Sequence, residues 1–520
     1  MKPNKTLIIN LSDDSSILTT QYLLNRNKGL GEVTILTFQE NRKATEVLSV
    51  DNRVYIDRKK IQNLFKNNIF SKSIAINELI SDLNIVLKSK WTNVINFSNN
   101  ETSNLLTTLL KLELPNIEVT GVHFGDDNEK IYPNKSTILF DEFQNSQSSP
   151  FTQQELLVKL LDVNFTDHKE PELVPSGEYL SSVKSSFERI RENQRVYDRE
   201  VKIAGIQIFS ELASDSFDKD IILNLVDNIL DRNDLFPILI ISHSKEQRAF
   251  AKDINERLNN SLVIIEASYQ ALSAVVSNLD LLITPKSATK HLADLVKTST
   301  IEVSFNKDNL FKQPSIRNNN ILIHTNQLKA VDAIMNAIEF KISGTNNFGS
   351  SHEVYQVQNV NNNVIYLPLS NNYISQAKYL LREYKKIALN PELGVPDLKC
   401  VNKELLKEYF EEEKICAMNI LKDVLSLLRS IKEFKNTRRS QRFIESTDKI
   451  FEHINEETMF SPILTLFKNK LENLKTNNVT DSIALIEQYT YDLKNEIQLI
   501  LNNIKGIDIQ DKNEVKESTL

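Results

Sequence analysis

The sequence predicts an α/β protein of two consecutive doubly wound domains, followed by a β-hairpin and an all-α region. Three observations carry this. Short runs rich in Val and Ile, such as EVTILTF at 32–38 and FPILIIS at 236–242, alternate with amphipathic segments of helix length, the pattern of βα units on a parallel sheet. That pattern lapses near residue 170 and restarts near 203. Beyond Gly344 it gives way to long one-sided apolar stripes, as packed helices require.

Taken in order, strands are expected at 6–11, 32–38, 53–56, 92–97 and 118–122, with helices at 15–27, 41–48, 73–88 and 102–112 between them. Pro171, Pro175 and Gly177 then break the chain before a connecting helix at 178–193. A second set follows. Its strands are expected at 203–209, 236–242, 261–265, 279–284, 299–304 and 320–324, and its helices at 219–231, 244–258, 269–277, 288–296 and 328–340. Segments 353–358 and 364–368, joined through an Asn-rich turn, read as a hairpin. Leu406, Phe410, Ala417, Ile420, Val424, Leu427, Ile431 and Phe434 recur at helical spacing, as do Ile483, Ile486, Tyr489, Leu493, Ile497, Ile500 and Ile504. The expected domains are 1–170, 171–345 and a hairpin-plus-helix extension at 346–510, with a polar, disordered tail at 511–520.

Composition narrows the function. There are 10 glycines in 520 residues, where average usage of about 7% would give roughly 36. Neither GxGxxG nor GxxxxGK[ST] occurs, which excludes the dinucleotide fingerprint and the P-loop. With 62 basic and 69 acidic residues the net charge is −7, so no global basic excess exists to neutralise nucleic-acid phosphates. Cys400 and Cys416 form neither a disulfide framework nor a zinc spacing, and the histidines lack an HExxH pattern. No 18-residue apolar stretch or signal-like N-terminus occurs. These features fit a cytoplasmic protein, with peripheral membrane contact left open.

Several segments at 5–342 resemble, in order, glycosyltransferase family 9, the heptosyltransferase-like enzymes of lipopolysaccharide synthesis. They are LIINLSDDSSILTTQY (7–22), VDNRVYIDR (50–58), WTNVINFSNNETSNLL (91–106) with Gly121 after it, and LDLLITPKSATKHLADL (279–295). The resemblance implies two Rossmann-like domains of the GT-B type. It also implies inverting, metal-independent transfer of a sugar from a nucleotide-diphosphate donor, expected to be ADP-linked, to a cell-envelope glycan or lipid-linked acceptor. No further cofactor is implied. This chain departs from the family at four places. Ser12–Asp13–Asp14–Ser15 stands for a Gly-Asp loop, Gln21 for a proline, Lys286–Ser287–Ala288 for Asp-Ser-Gly, and Asp215 for a lysine.

Glycosyl transfer needs a base for the acceptor hydroxyl and donors or cations for the departing diphosphate. Asp13 and Asp14 follow the first strand, where open α/β sheets bind ligands. Asp13 is the favoured base, and capping of the next helix is its alternative. Asp14, Asn99 and Asn100 are the acceptor-side candidates. Ser287 opens a helix whose N-terminus suits an anion. Lys286 beside it would replace the cation missing at Asp215, or be a solvated loop charge. His291 stands one turn on, facing a phosphate or simply packed. Ser210, with Glu211, follows the first strand of the second domain. The cluster at 432–442, including NTRRSQR, would face anionic lipid or be a solvated helix end.

Two classes of function therefore remain open. One is the glycosyltransferase. The other is a catalytically degenerate scaffold or binding module whose C-terminal helices contact a protein partner or a second copy. A nucleotide-sugar epimerase is a more distant alternative.

Overall fold

The computed structural model describes residues 4–517, apart from 25–27, 60–76, 78–80, 82, 127–128, 145–148, 162–171, 195–200, 211–212, 307–309, 312, 361–362, 391–392, 394–395, 438–440, 456–457 and 475–477. The chain forms two compact units, Met1–Ser370 and Asn371–Leu520.

The first unit contains two lobes, each built on its own parallel sheet. Strands β1 (Lys5–Ile9), β2 (Glu32–Phe38), β3 (Asn52–Ile56), β4 (Asn93–Asn96) and β5 (Glu118–Thr120) lie in the order β3-β2-β1-β4-β5. All their pairings are parallel. Leu7, Ile8, Ile9, Ile35, Leu36 and Val94 are fully buried, because helices cover both faces of such a sheet. Gly121, at φ +108°, lets the chain pass close to β4; a Cβ there would lie 2.6 Å from the Asn96 carbonyl oxygen.

The second lobe repeats the plan. It has β8 (Lys202–Gln207), β9 (Leu235–Ile241), β10 (Val263–Glu266), β11 (Leu281–Pro285), β12 (Thr300–Ser304) and β13 (Ile321–His324). A short ribbon of β6 (His123–Phe124) and β7 (Lys130–Ile131) precedes it. Within this sheet the order is β10-β9-β8-β11-β12-β13, the doubly wound arrangement with its strand order reversing between β8 and β11.

The hairpin does not belong to the C-terminal extension, as the boundary at 345 had it. Strands β14 (Glu353–Val360) and β15 (Asn363–Pro368) extend the second sheet antiparallel to β13. Left alone, β13 would present an unpaired edge. The hairpin covers it, buries Val354, Tyr355, Val357 and Tyr366, and sends the Tyr366 hydroxyl to the Ser315 carbonyl at 2.9 Å.

The second unit is helical, with helices Tyr373–Leu389, Lys403–Thr437, Gln441–Glu452, Ser461–Glu472 and Val479–Glu517. Both apolar stripes read from the sequence contribute to its core. Ala417, Ile420, Val424, Leu427 and Ile431 are buried, as are Leu493, Ile497 and Ile500. The last helix continues to Glu517, through the segment expected to be a disordered tail. Residues 511–517 (DKNEVKE) contain neither Gly nor Pro and are rich in Lys and Glu, so the preceding helix can propagate through them. Of the helix expected at 73–88, only Asn84–Lys88 falls clearly within the described residues. No helix among the described residues is long and apolar enough to cross a membrane.

Candidate active-site cleft between the two lobes

The C-terminal strand edges of both sheets border one cleft of about 540 Å³, within the size range of small-molecule and cofactor sites. Asp13 and Asp14 enter it after β1, Glu40 and Lys43 after β2, and Arg58 after β3. The second lobe contributes Gln207 from the end of β8 and Ser210 after it, His243 after β9, Ser268 and Tyr269 after β10, and Ser287 and Thr289 after β11.

The two adjacent aspartates have different surroundings. Buried Asn10 holds the turn after β1 by donating to the Ser16 carbonyl and the Thr20 hydroxyl, both at 3.1 Å. The chain then enters the short helix Asp14–Thr19 with Asp13 as its N-cap, accepting from the Ser16 amide at 2.8 Å. Asp13 is exposed. Asp14 is partly buried, and its Oδ2 accepts from the Tyr269 hydroxyl at 2.9 Å. Its Oδ1 is buried without a hydrogen-bond partner among the described residues. Burial raises the Asp14 pKa, the Tyr269 hydrogen bond opposes this, and the charges of Asp13 and Glu40 add to the rise. Arg58 pairs with Glu40 at 2.9 Å and stacks over Phe38.

Asn99 and Asn100 have structural partners. Asn99, at φ +42°, donates to Asp141. Asn100 caps the helix Glu101–Glu113 in a capping box with Ser103 and donates to the Leu11 carbonyl at 3.1 Å. Both stand beside the β1 loop, and neither is among the described residues lining the cleft.

On the opposite side, Ser287 is the N-cap residue of the helix Ala288–Val296, and its side chain makes no capping bond. Its hydroxyl pairs with Thr284 at 2.9 Å. Ser210 donates to the Lys286 carbonyl at 2.7 Å, which pins together the loops after β8 and β11. The Lys286 side chain is not among the described residues lining the cleft. His291 is completely buried, with neither ring nitrogen bonded among the described residues. Burial first, then Lys290 and Lys286, hold its pKa well below the ordinary histidine value. It too is absent from the described lining residues. Asp215 is also completely buried. It accepts the amides of Phe305 and Asn306 at 3.0 Å each, which explains an acid rather than a lysine at this position. Glu211 lies outside the described residues, as do 438–440 of the basic cluster.

Sequence reasoning did not single out Tyr269, Lys43, Arg58 or the group around Glu266. Arg248 and His243 both bond Glu266 and hold its carboxyl down at about 2. The available signal was positional, since each of Lys43, Arg58, His243 and Tyr269 follows the C-terminal end of a parallel strand. Gln21, standing where the resembled pattern has proline, is fully buried. It accepts from the Ser49 amide at 2.8 Å and donates to the Glu172 carbonyl at 3.3 Å, so it ties the first lobe to the segment entering the second. Among the described residues no three His, Cys, Asp or Glu side chains gather as a metal site.

Fold and cleft together define a two-lobed, doubly wound α/β protein with a ligand-sized crevice at the C-terminal strand edges of both sheets. No family model matches the chain, and no curated protein does. Among solved structures, it is similar to a glycosyl transferase family 9 protein from Veillonella parvula DSM 2008 (14% identity, 61% of this chain and 86% of that one, TM-score 0.43). It is also similar to E. coli heptosyltransferase WaaC with ADP-2-deoxy-2-fluoro heptose (11%, 65% and 99%, 0.43). A third similarity is to UDP-GlcNAc 2-epimerase from Neisseria meningitidis bound to UDP-GlcNAc (14%, 65% and 92%, 0.36). These values describe a remote likeness.

Proposed function

We propose that this chain is a heptosyltransferase-like glycosyltransferase. It moves a sugar from a nucleotide-diphosphate donor to a cell-envelope glycan or lipopolysaccharide-type acceptor, with inversion and without a metal. The observation that supports this most is the pairing, across one cleft, of a carboxylate with a raised pKa and a helix N-terminus. Asp14 belongs to the first lobe; Ser287, Ala288 and Thr289 belong to the second.

In this reading Asp14, rather than Asp13, is the base, because Asp13 already serves as a helix cap. Asp14 takes the proton from the acceptor hydroxyl. The resulting oxygen attacks the anomeric carbon of the donor sugar from the face opposite the diphosphate, and the bond from that carbon to the diphosphate oxygen breaks. The amides of Ala288 and Thr289, at the start of the helix Ala288–Val296, receive the charge of the leaving group. Lys43 contributes positive charge from the first lobe, where Arg58 is already paired with Glu40. The enzyme would work in the cytoplasm, at the inner face of the membrane where a lipid-linked acceptor is presented.

One observation favours the scaffold reading instead. No Lys or Arg of the second lobe is among the described residues lining the cleft, and His243 there is already engaged by Glu266. Incubation with ADP- and UDP-linked sugars separates the two readings. The transferase gives nucleotide release that depends on an acceptor glycan and is lost in Asp14→Asn. A scaffold gives neither turnover nor a nucleotide-dependent thermal shift.

A further inference from the structure

The helix Lys403–Thr437 has two faces of different character. One packs into the helical unit through Phe410, Ala417, Ile420, Val424, Leu427 and Ile431. The other is exposed and carries Glu404, Glu408, Glu411, Ile415, Met418, Lys422, Leu425, Arg429 and Lys432. The steps between these residues alternate between four and three, the spacing of a coiled-coil seam. The row spans about 42 Å of helix. Its apolar members are well exposed: Ile415 at 56%, Met418 at 59% and Leu425 at 41%.

The order of residues along the seam is polar in the sense of charge. Its N-terminal third, Glu404, Glu408 and Glu411, is acidic, its middle holds Ile415, Met418 and Leu425 with Lys422 among them, and it ends on the basic Arg429 and Lys432. Complementing the helix dipole does not account for this, because that effect falls off within the first and last turns. Glu411 lies two turns inside the helix, and Lys422 is near its middle.

We propose that this face binds the same face of a second copy of the chain in an antiparallel pair. The two-fold axis would lie level with Ile420. That register sets Ile415 against Leu425 of the second copy, Met418 against the stem of Lys422, Glu411 against Arg429, and Glu408 against Lys432, each contact occurring twice. A parallel pair would instead align Glu with Glu and Arg with Arg along the whole seam, which like-charge repulsion disfavours. The acidic third also argues against an anionic membrane as the occupant. This surface is independent of the cleft and of its chemistry.

The test is sedimentation equilibrium of the full-length chain at 50 mM and 500 mM NaCl. A species of twice the 59.7 kDa chain mass, weakened at high salt, is expected. Ile415→Asp, an exposed substitution, should weaken association on the order of tenfold or more. Glu408→Lys/Glu411→Lys and Arg429→Glu/Lys432→Glu should each be monomeric alone and re-form a dimer when mixed in equal amounts, since only the mixed pair restores both ends. Circular dichroism verifies that each variant keeps its helix content. A wild-type chain that stays monomeric at 50 μM and low salt overturns the proposal. So does a dimer indifferent to all three variants, because association would then use another surface.

Discussion

The Tyr269 hydroxyl donates to Oδ2 of Asp14 at 2.9 Å, joining the first loop of one lobe to a helix N-terminus of the other across the cleft. The two residues are 255 positions apart in the chain. The bond occupies one carboxylate oxygen of the group whose environment raises its pKa.

Tyr269→Phe removes the one side-chain hydrogen bond that holds the Asp14 pKa down, while burial and the acidic neighbours remain. The Asp14 pKa should therefore rise further. If Asp14 is the base, the acidic limb of the kcat/KM profile moves to higher pH in the variant. A limb that stays in place or moves to lower pH would contradict the assignment.

Asp13 and Asp14 should separate cleanly on mutation. Asp13→Ala removes the N-cap and should cost about 0.5–2 kcal/mol of stability, with turnover largely kept. Asp14→Asn should keep stability close to that of the parent and lower kcat by roughly 10²–10⁴-fold. Chemical denaturation and steady-state rates measured on the same preparations decide this. Loss of turnover in Asp13→Ala alone would restore Asp13 as the base.

Nucleotide binding should be visible without turnover. At about 100 times Kd, a ligand that binds only the folded protein adds about 2.7 kcal/mol. ADP or UDP should therefore raise the melting temperature of the first unit. Ala288→Pro would keep the helix start and remove the amide of a residue that lines the cleft, so it should reduce that shift. An equal shift in parent and variant would mean the nucleotide sits elsewhere.

Glu413, in the helical unit, is a pH-sensitive group. Its carboxylate is buried beside Tyr409 and accepts from the Met459 amide at 3.3–3.4 Å. Burial pushes its pKa up to about 7, against the Met459 bond, Lys385 and Tyr409, and with Glu412 adding to the rise. Because the folded value lies above the unfolded one, its contribution to stability is complete below the ordinary carboxylate range. It is then lost as pH rises through about 7. Glu413→Gln should remove this dependence, so the parent loses more melting temperature than the variant between pH 5 and pH 8. Parallel losses in both proteins would show that Glu413 is not the titrating group.

Much of the fold was legible in the chain itself. β2 is bounded as its Val- and Ile-rich run predicted, and the apolar stripe from Ala417 to Ile431 is buried. Both follow from local periodicity, which depends only on neighbours a few residues away. The position of Asp13 and Asp14 at a strand's C-terminal end was legible for the same reason, as was that of Ser287 before its helix.

Tertiary structure alone decided the rest. Nothing local distinguishes Asp13 from Asp14; the distinction comes from Ser16 on one side and from Tyr269 in the other lobe. Nothing local shows that His291 is completely buried, that Asp215 receives the amides of Phe305 and Asn306, or that the hairpin completes the sheet beside β13. The sequence by itself determined the strands, the helices and which of their ends carry polar groups, because short-range sterics and apolar periodicity set these. Which polar groups are desolvated, paired or left facing the cleft depends on contacts between segments far apart in the chain, and only the assembled lobes create those.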